Sequence, residues 1–399
     1  MMKEYMSALD DINSETVEYV RGIQVIKIFN MVIESFERLY KSIIRYSEVV
    51  NKECQMCRRP YVIFQVCMLS LSALIVPVAY IAMPKSPQAS ETISLVVFFA
   101  AFSGLLMSAF MKVMFFSKNF EMANDAISKL ESLFDEMDKN KLAHGDVSDM
   151  TSHDIDFSGV TFRYEEGVDV LTDFSLKLES GKKYALVGSS GSGKSTIAKL
   201  ISGFYPVSSG ELKIGGVDIS KYKRETLEHE IAFVFQNAKL FKTSIYENVK
   251  IGRPDASREE VIKALDLAMC GSILDKFETR EDTIIGAKGV HLSGGETQRI
   301  AIARAILKDA PIIILDEASA ASDPENEYEM QQAFSKLMEG KTVIMIAHRL
   351  SSIRNVDEIL VVEDGKVTER GSHDELIAKD SKYKKLQNLY NQANEWRLS

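Results

Sequence analysis

The sequence is poor in the features that would place it in several large protein classes. Four cysteines in 399 residues cannot build a disulfide framework, so nothing demands an oxidising compartment. Cys54-Gln-Met-Cys57 is a lone C-x-x-C in a charged helical stretch, with no second pair to complete a zinc site, and reads as incidental. Positive charge is in deficit: 48 Lys and Arg against 57 Asp and Glu leave a net charge of -9. That balance argues against nucleic acid as a partner, because binding a phosphate backbone needs a clustered positive field. The chain does not open with a short basic segment and an apolar run, so no signal peptide is expected. Its length allows two or three domains with a large core.

Two stretches lack charge altogether, Tyr61 to Met83 and Thr92 to Met111. As a helix, each is long enough to cross a hydrocarbon core of about 30 Å, and both are expected to be membrane spans rather than buried core helices. Two prolines, Pro84 and Pro87, suit the short connection between them. Lys52, Arg58 and Arg59 precede the first span and Lys112 and Lys118 follow the second, which puts both outer ends in the cytoplasm. Ahead of the spans, Val17, Val20, Ile28, Val32, Phe36, Leu39 and Ile43 recur at mostly three- and four-residue steps. That is a long amphipathic helix, or a pair of them, interrupted near Gly22. A polar stretch, 138–154, reads as a linker between a membrane part, 1–137, and a domain at 155–399.

The domain is organised around Gly188-Ser189-Ser190-Gly191-Ser192-Gly193-Lys194-Ser195, which follows the apolar run Tyr184–Val187 and precedes a helical pattern from Thr196 to Ile201. The pattern G-x-x-x-x-G-K-[ST] between a strand and a helix is a phosphate cradle. Glycines let consecutive N–H groups curl around an anion, and the helix N-terminus adds partial positive charge. Lys194 suits the β- and γ-phosphates, and Ser195 suits Mg²⁺. The plain alternative is a serine- and glycine-rich turn. Alternating segments at 155–164 and 173–178, a hairpin at 211–219 and mostly helical residues at 257–307 indicate an α/β domain with a helical insertion. Ile312-Ile-Ile-Leu-Asp316-Glu317 reads as a central parallel strand ending in two carboxylates, at the edge where such sheets bind ligands. Asp316 is placed to hold Mg²⁺ and Glu317 to act as general base on the attacking water.

The most specific stretch is Leu292-Ser293-Gly294-Gly295-Glu296-Thr297-Gln298-Arg299, ahead of that strand. With it the chain resembles the ATP-binding cassette (ABC) transporters over essentially its whole length, as the C-terminal part of an exporter-type half-transporter. The resemblance implies an α-helical membrane hairpin with long cytosolic helices, followed by an α/β P-loop NTPase domain with a helical subdomain. It implies that ATP sits on Gly188 through Thr196 and that Ser293, Gly294 and Gly295 close over the ATP of a second ABC subunit, in a homo- or heterodimer with two-fold symmetry. Tyr164 looks like the aromatic that stacks on adenine, though a strand tyrosine on its own is more often just packed. Gln236 resembles the glutamine that contacts Mg²⁺ or water. His348 resembles the histidine on the γ-phosphate, although a strand-end histidine alone is more often structural. Asp323 matches an inter-subunit aspartate, while Ala320 and Ser322 depart from the family's usual residues there. Glu296 replaces the usual glutamine and adds negative charge near the bound phosphates. Residues 15–25 resemble the coupling helix that docks on the partner's nucleotide domain. The family has four further spans before the region at which this chain begins. The implied function is ATP-driven movement of a substrate across the cell membrane, with export the expected direction. A siderophore-type importer or a non-transporting remnant with a competent ATPase domain is the alternative.

Overall fold

The computed structural model describes residues 2–23, 37–82, 89–139, 141–165, 167–286, 289–316, 324–347, 353 and 355–398. They divide into two units, Met1–Asp135 and Glu136–Ser399.

Among the described residues the first unit has three helices: α1 (Met2–Arg21), α2 (Glu37–Ala82) and α3 (Ala89–Lys139), whose last residues belong to the second unit. Helix α1 ends at the expected interruption, where the Gly22 N–H closes back on Glu18 O at 3.0 Å. Helix α2 joins the amphipathic stem and the first uncharged run into one 46-residue helix that continues through Pro60 and Pro77. Each proline removes one backbone hydrogen bond, a loss that spanning helices tolerate where neighbours re-satisfy the freed carbonyl. The stems are tied by polar side chains: Arg45 reaches Asp11 at 2.5 Å, Lys129 reaches Asp10 at 2.6 Å, and the Tyr5 and Tyr46 hydroxyls lie 3.3 Å apart. These ion pairs are exposed, so each contributes only about 0–1 kcal/mol and they fix register more than stability.

In α3, Ile93–Val113 is 21 residues long with a mean hydropathy of 2.2, and none of it is buried within the chain. It is the one span that meets both the length and the hydropathy tests among the described residues. The run from Tyr61 is helical as far as Ala82, and Met83 lies outside the described residues. Phe98, Leu105 and Val113 are each more than half exposed, which in water would be a large uncompensated apolar surface.

The second unit contains two sheets. Strands β1 (Ile155–Arg163), β2 (Asp169–Leu178), β4 (Ser209–Ile214) and β5 (Val217–Asp218) form an antiparallel sheet in the order β2-β1-β4-β5. Strands β3 (Lys183–Val187), β6 (Ile231–Val234), β7 (Ile312–Asp316), β8 (Thr342–Ile346), β9 (Glu358–Glu363) and β10 (Lys366–Gly371) form the second, in the order β10-β9-β3-β8-β7-β6. All its neighbours run parallel except the β9–β10 hairpin at the edge. The helices are α4 (Lys194–Ile201), α5 (Arg224–Glu230), α6 (Ile245–Lys250), α7 (Arg258–Leu267), α8 (Gly271–Leu274), α9 (Gly294–Lys308), α10 (Pro324–Leu337), α11 (His373–Ala378) and α12 (Lys382–Leu398).

The central strands are buried on both faces, which explains their unbroken apolar runs. Alternate residues of β7 divide between two cores: Ile313 and Leu315 pack in the same core as Val343 and Ile300, while Ile312 and Ile314 share the other with Ile344, Ile197 and Phe157. Each such side chain contributes about 1.5–3 kcal/mol by leaving water. The parallel sheet is thus held between a helical layer and the antiparallel sheet. Part of the polar stretch 138–154 is packed into this unit: Leu142 is buried, and Val147 pairs with Lys221 and Lys223 through backbone hydrogen bonds of 3.0 and 2.9 Å.

Candidate nucleotide site

The chain turns from β3 into α4 through Gly188–Gly193, and all three glycines of this turn lie at positive φ, Gly191 at +80°. Gly188 has φ +149°, and a Cβ there would sit 2.1 Å from Val362 O; Gly193 has φ +103° and a Cβ would meet Leu171 Cδ2 at 3.0 Å. Gly193 is also the N-cap of α4, so the helix begins with no side-chain cap and no acidic residue in its first turn. With no side-chain cap on its first N–H groups, the helix start suits an anionic ligand. Lys194 is 5 % exposed, and its ammonium donates to Gly188 O at 2.9 Å, Ser189 O at 2.7 Å and Ser192 Oγ at 3.3 Å. A buried cation at the centre of an uncapped, glycine-lined helix start fits a polyphosphate and would repel a cation.

Ser195, the next residue, is exposed, whereas Thr196 is buried and its hydroxyl lies 3.2 Å from the Tyr164 hydroxyl. That contact brings the end of β1 to the start of α4. The Tyr164 ring stands edge-on to Phe162 and Tyr205, with centroids 4.9 and 5.3 Å away, and Lys199 Nζ lies 5.6 Å from its centre. At 42 % exposed it keeps area for a planar ligand.

Strand register lines up the remaining groups. Leu186 and Asp316 both pair with Ile346, and Val234 pairs with Leu315, so β3, β8, β7 and β6 end along one edge. The phosphate loop leaves from that edge, Asp316 closes β7 on it, and Gln236 follows β6 by two residues. Gln236 is exposed, and it lines a cleft of about 870 Å³ together with Asp316, Phe235, Phe241, Arg304 and Lys308. Burial holds Arg304 and Lys308 below their ordinary basicity. Ser195, Gln236 and Asp316 offer the hard oxygen donors that Mg²⁺ prefers.

The second glycine loop opens α9. Ser293 is its N-cap, and a capping box is complete: Ser293 Oγ accepts from Glu296 N at 3.3 Å, and Glu296 Oε2 accepts from Ser293 N at 2.6 Å. The Ser293 N–H is therefore used internally, and among the described residues the Ser293 hydroxyl hydrogen and the Gly294 and Gly295 N–H groups remain for an anion. The Glu296 carboxylate, expected as an added negative charge, is paired with the Lys276 ammonium. Burial pushes this carboxyl up, but Lys276 and the Ser293 amide outweigh it and hold it below the usual carboxylate range. Further along α9, Arg299 is 2 % exposed, paired with Glu329 and bonded to Asn326 Oδ1 at 3.0 Å and Met269 O at 2.9 Å. It fastens the loop's helix to α10. Glu317, Ala320, Ser322, Asp323 and His348 lie outside the described residues, as do Gln24 and Val25 of the coupling-helix region.

Comparison with known proteins agrees with this geometry. The ABC transporter family profile matches residues 171–320, which includes the phosphate loop, the second glycine loop and Asp316. An ATP-dependent lipid A-core flippase of Neisseria meningitidis is 34% identical over 404 residues, covering 98% of this chain and 62% of the relative. Residues 171–320 form a domain of the ABC transporter family. A second ATP-dependent lipid A-core flippase, from Pasteurella multocida, is 47% identical over 237 residues, 59% of this chain and 41% of its own. Among solved structures, a bacterial Atm1-family ABC exporter with ATP bound superposes with a TM-score of 0.71 at 27% identity, over 96% of this chain and 68% of the exporter. The chain thus spans less than two thirds of the length of both flippases. The α/β unit carries the matched family domain, and the helical unit precedes it.

Lys276, Asn326 and Glu329 carry no signal in the sequence, although Arg299, which Asn326 and Glu329 hold, ends the second glycine-loop stretch. Lys276 stands twenty positions before its partner, in a stretch with no motif.

Proposed function

We propose that this chain is the ATP-binding and ATP-hydrolysing subunit of an ABC exporter, held in the cell membrane by its helical unit with the nucleotide unit in the cytoplasm. The observation that carries the reading is the uncapped α4 N-terminus with Lys194 at its centre, on the sheet edge that also bears Asp316. Tyr164 stacks on the adenine, the loop 188–193 with Lys194 and Thr196 holds the phosphates, and Glu317 takes a proton from the attacking water. His348 hydrogen-bonds the γ-phosphate. Ser195, Gln236 and Asp316 hold Mg²⁺, which when bound neutralises charge on the phosphates.

The chain works as a dimer, each copy's Ser293, Gly294 and Gly295 closing over the nucleotide on its partner, with Asp323 at the contact between the two sites. Closure selects one of two membrane conformations, and hydrolysis resets it. Export is favoured over siderophore import because the relatives are two flippases and an exporter. Lipid A-core, the cargo in both flippases' names, is the first molecule to test for stimulation of ATP turnover.

Replacing Glu317 by Gln keeps the side chain's shape and removes the base. Hydrolysis by the whole chain in membranes should fall by about 10²–10⁴-fold while ATP affinity stays unchanged. Undiminished turnover would refute Glu317 as the base, and a wild-type chain unable to bind ATP would refute the reading as a whole.

A further inference from the structure

The carboxylate of Glu296 has two opposed effects on the loop it caps. A negative side chain in the first turn stabilises its own helix, because it faces the positive end of the helix dipole. The same charge opposes an arriving polyphosphate, and one of its oxygens already occupies the Ser293 N–H. Its other oxygen is held by Lys276 Nζ. The pair is asymmetric: the Glu296 side chain is 9% exposed and that of Lys276 57%. Water therefore cannot replace Lys276 in screening the carboxylate, although the ammonium itself is well hydrated. In front of the loop the approach is open, since a Cβ on Gly294 would meet nothing within 4 Å and one on Gly295 only Asn326 Cβ at 4.0 Å.

We propose that Lys276 is a positioning residue for closure: it cancels the charge of Glu296, so that the start of α9 keeps a net attraction for the nucleotide held by the partner. This rests on the reading of residues 293–295 as the loop that meets that nucleotide. An uncompensated unit charge within a turn or two of a phosphate changes affinity roughly tenfold at the effective dielectric of a protein surface. Lys276 thereby sets the nucleotide concentration at which the two copies close, and the ATP affinity of each copy's own phosphate loop does not depend on it.

Hydrogen exchange in the whole chain, followed while a non-hydrolysable ATP analogue is titrated, reads closure without turnover. Peptides covering residues 290–300 and 186–198 report on the two loops separately. In Lys276→Met the midpoint for protecting the first peptide should rise about tenfold while that of the second is unchanged. Lys276→Arg should match the wild type, and Lys276→Met combined with Glu296→Gln should return to within about twofold of it. An unchanged midpoint in Lys276→Met, or a double variant as impaired as the single one, overturns the proposal. A purely structural role for Lys276 would lower the melting temperature and shift both peptides together, which also overturns it. If the wild-type 290–300 peptide gains no protection at any concentration, the reading of the loop itself has failed. Protection in the wild type with no shift in Lys276→Met rejects the charge-cancelling role alone.

Discussion

Two glycine-containing loops each open a helix in the second unit, and they treat that helix's free N–H groups in opposite ways. At α4 the N-cap is Gly193, no side chain caps the helix, and the first residue is a buried lysine. At α9 the N-cap is a serine in a complete capping box, the first turn carries a glutamate, and the counter-charge comes from Lys276, outside the helix. The first arrangement puts no side-chain cap on the helix's leading N–H groups. The second satisfies part of its own need and leaves a smaller set of donors. A tight primary site and a weaker, closable second site is the division of labour expected of such a pair.

Breaking the anchor of the second loop should have the largest effect. Glu329→Ala strands the buried Arg299 guanidinium without its carboxylate, and the nucleotide unit should lose about 3–5 kcal/mol in denaturant unfolding. A loss under 1 kcal/mol would show that Asn326 and Met269 suffice. Next is Lys194→Ala, which removes a charge-assisted contact worth about 1.5–3 kcal/mol and should weaken ATP binding by roughly 10- to 100-fold in a titration. Unchanged affinity would end the phosphate-cradle reading. Ser293→Ala removes the cap and should cost about 0.5–2 kcal/mol of stability while leaving the affinity of the α4 loop intact. If that affinity falls as well, the two loops are not separable.

The smallest effect is a pH dependence. The folded Glu296 carboxyl lies below its unfolded value, so its contribution to stability is full above the unfolded value and is lost as pH falls through the folded one. Wild type and Glu296→Gln should therefore differ at neutral pH and converge in acid. Divergence on acidification would contradict the pairing with Lys276.

Much of the site was legible because its parts are local. Gly188 to Ser195 is a strand-loop-helix unit whose spacing carries its chemistry, and Ile312 to Asp316 announces a doubly buried strand by its unbroken apolar run. The hairpin at 211–219 and the helical stretch from Ser257 to Leu307 were readable for the same reason. Less legible was β2, which starts at Asp169 rather than Asp173, because its outer end alternates weakly and only its pairing with β1 extends it. The packing of Leu142 and Val147 into the nucleotide unit was hidden by the polarity of their neighbours.

The sequence by itself determined the phosphate loop, the uncharged helices and the class of fold, since each follows from residue spacing within a few turns or strands. Tertiary structure alone decided what the charges do. Glu296 read in sequence is one more negative charge facing a phosphate site; in the fold it is a cap whose charge Lys276 cancels. Arg299 read in sequence is the end of the second glycine-loop stretch with no partner in view, and in the fold it is a buried tie between α9 and α10. The physical reason is that a charge acts through space and through its burial, and the contacts that set both come from segments distant in the chain.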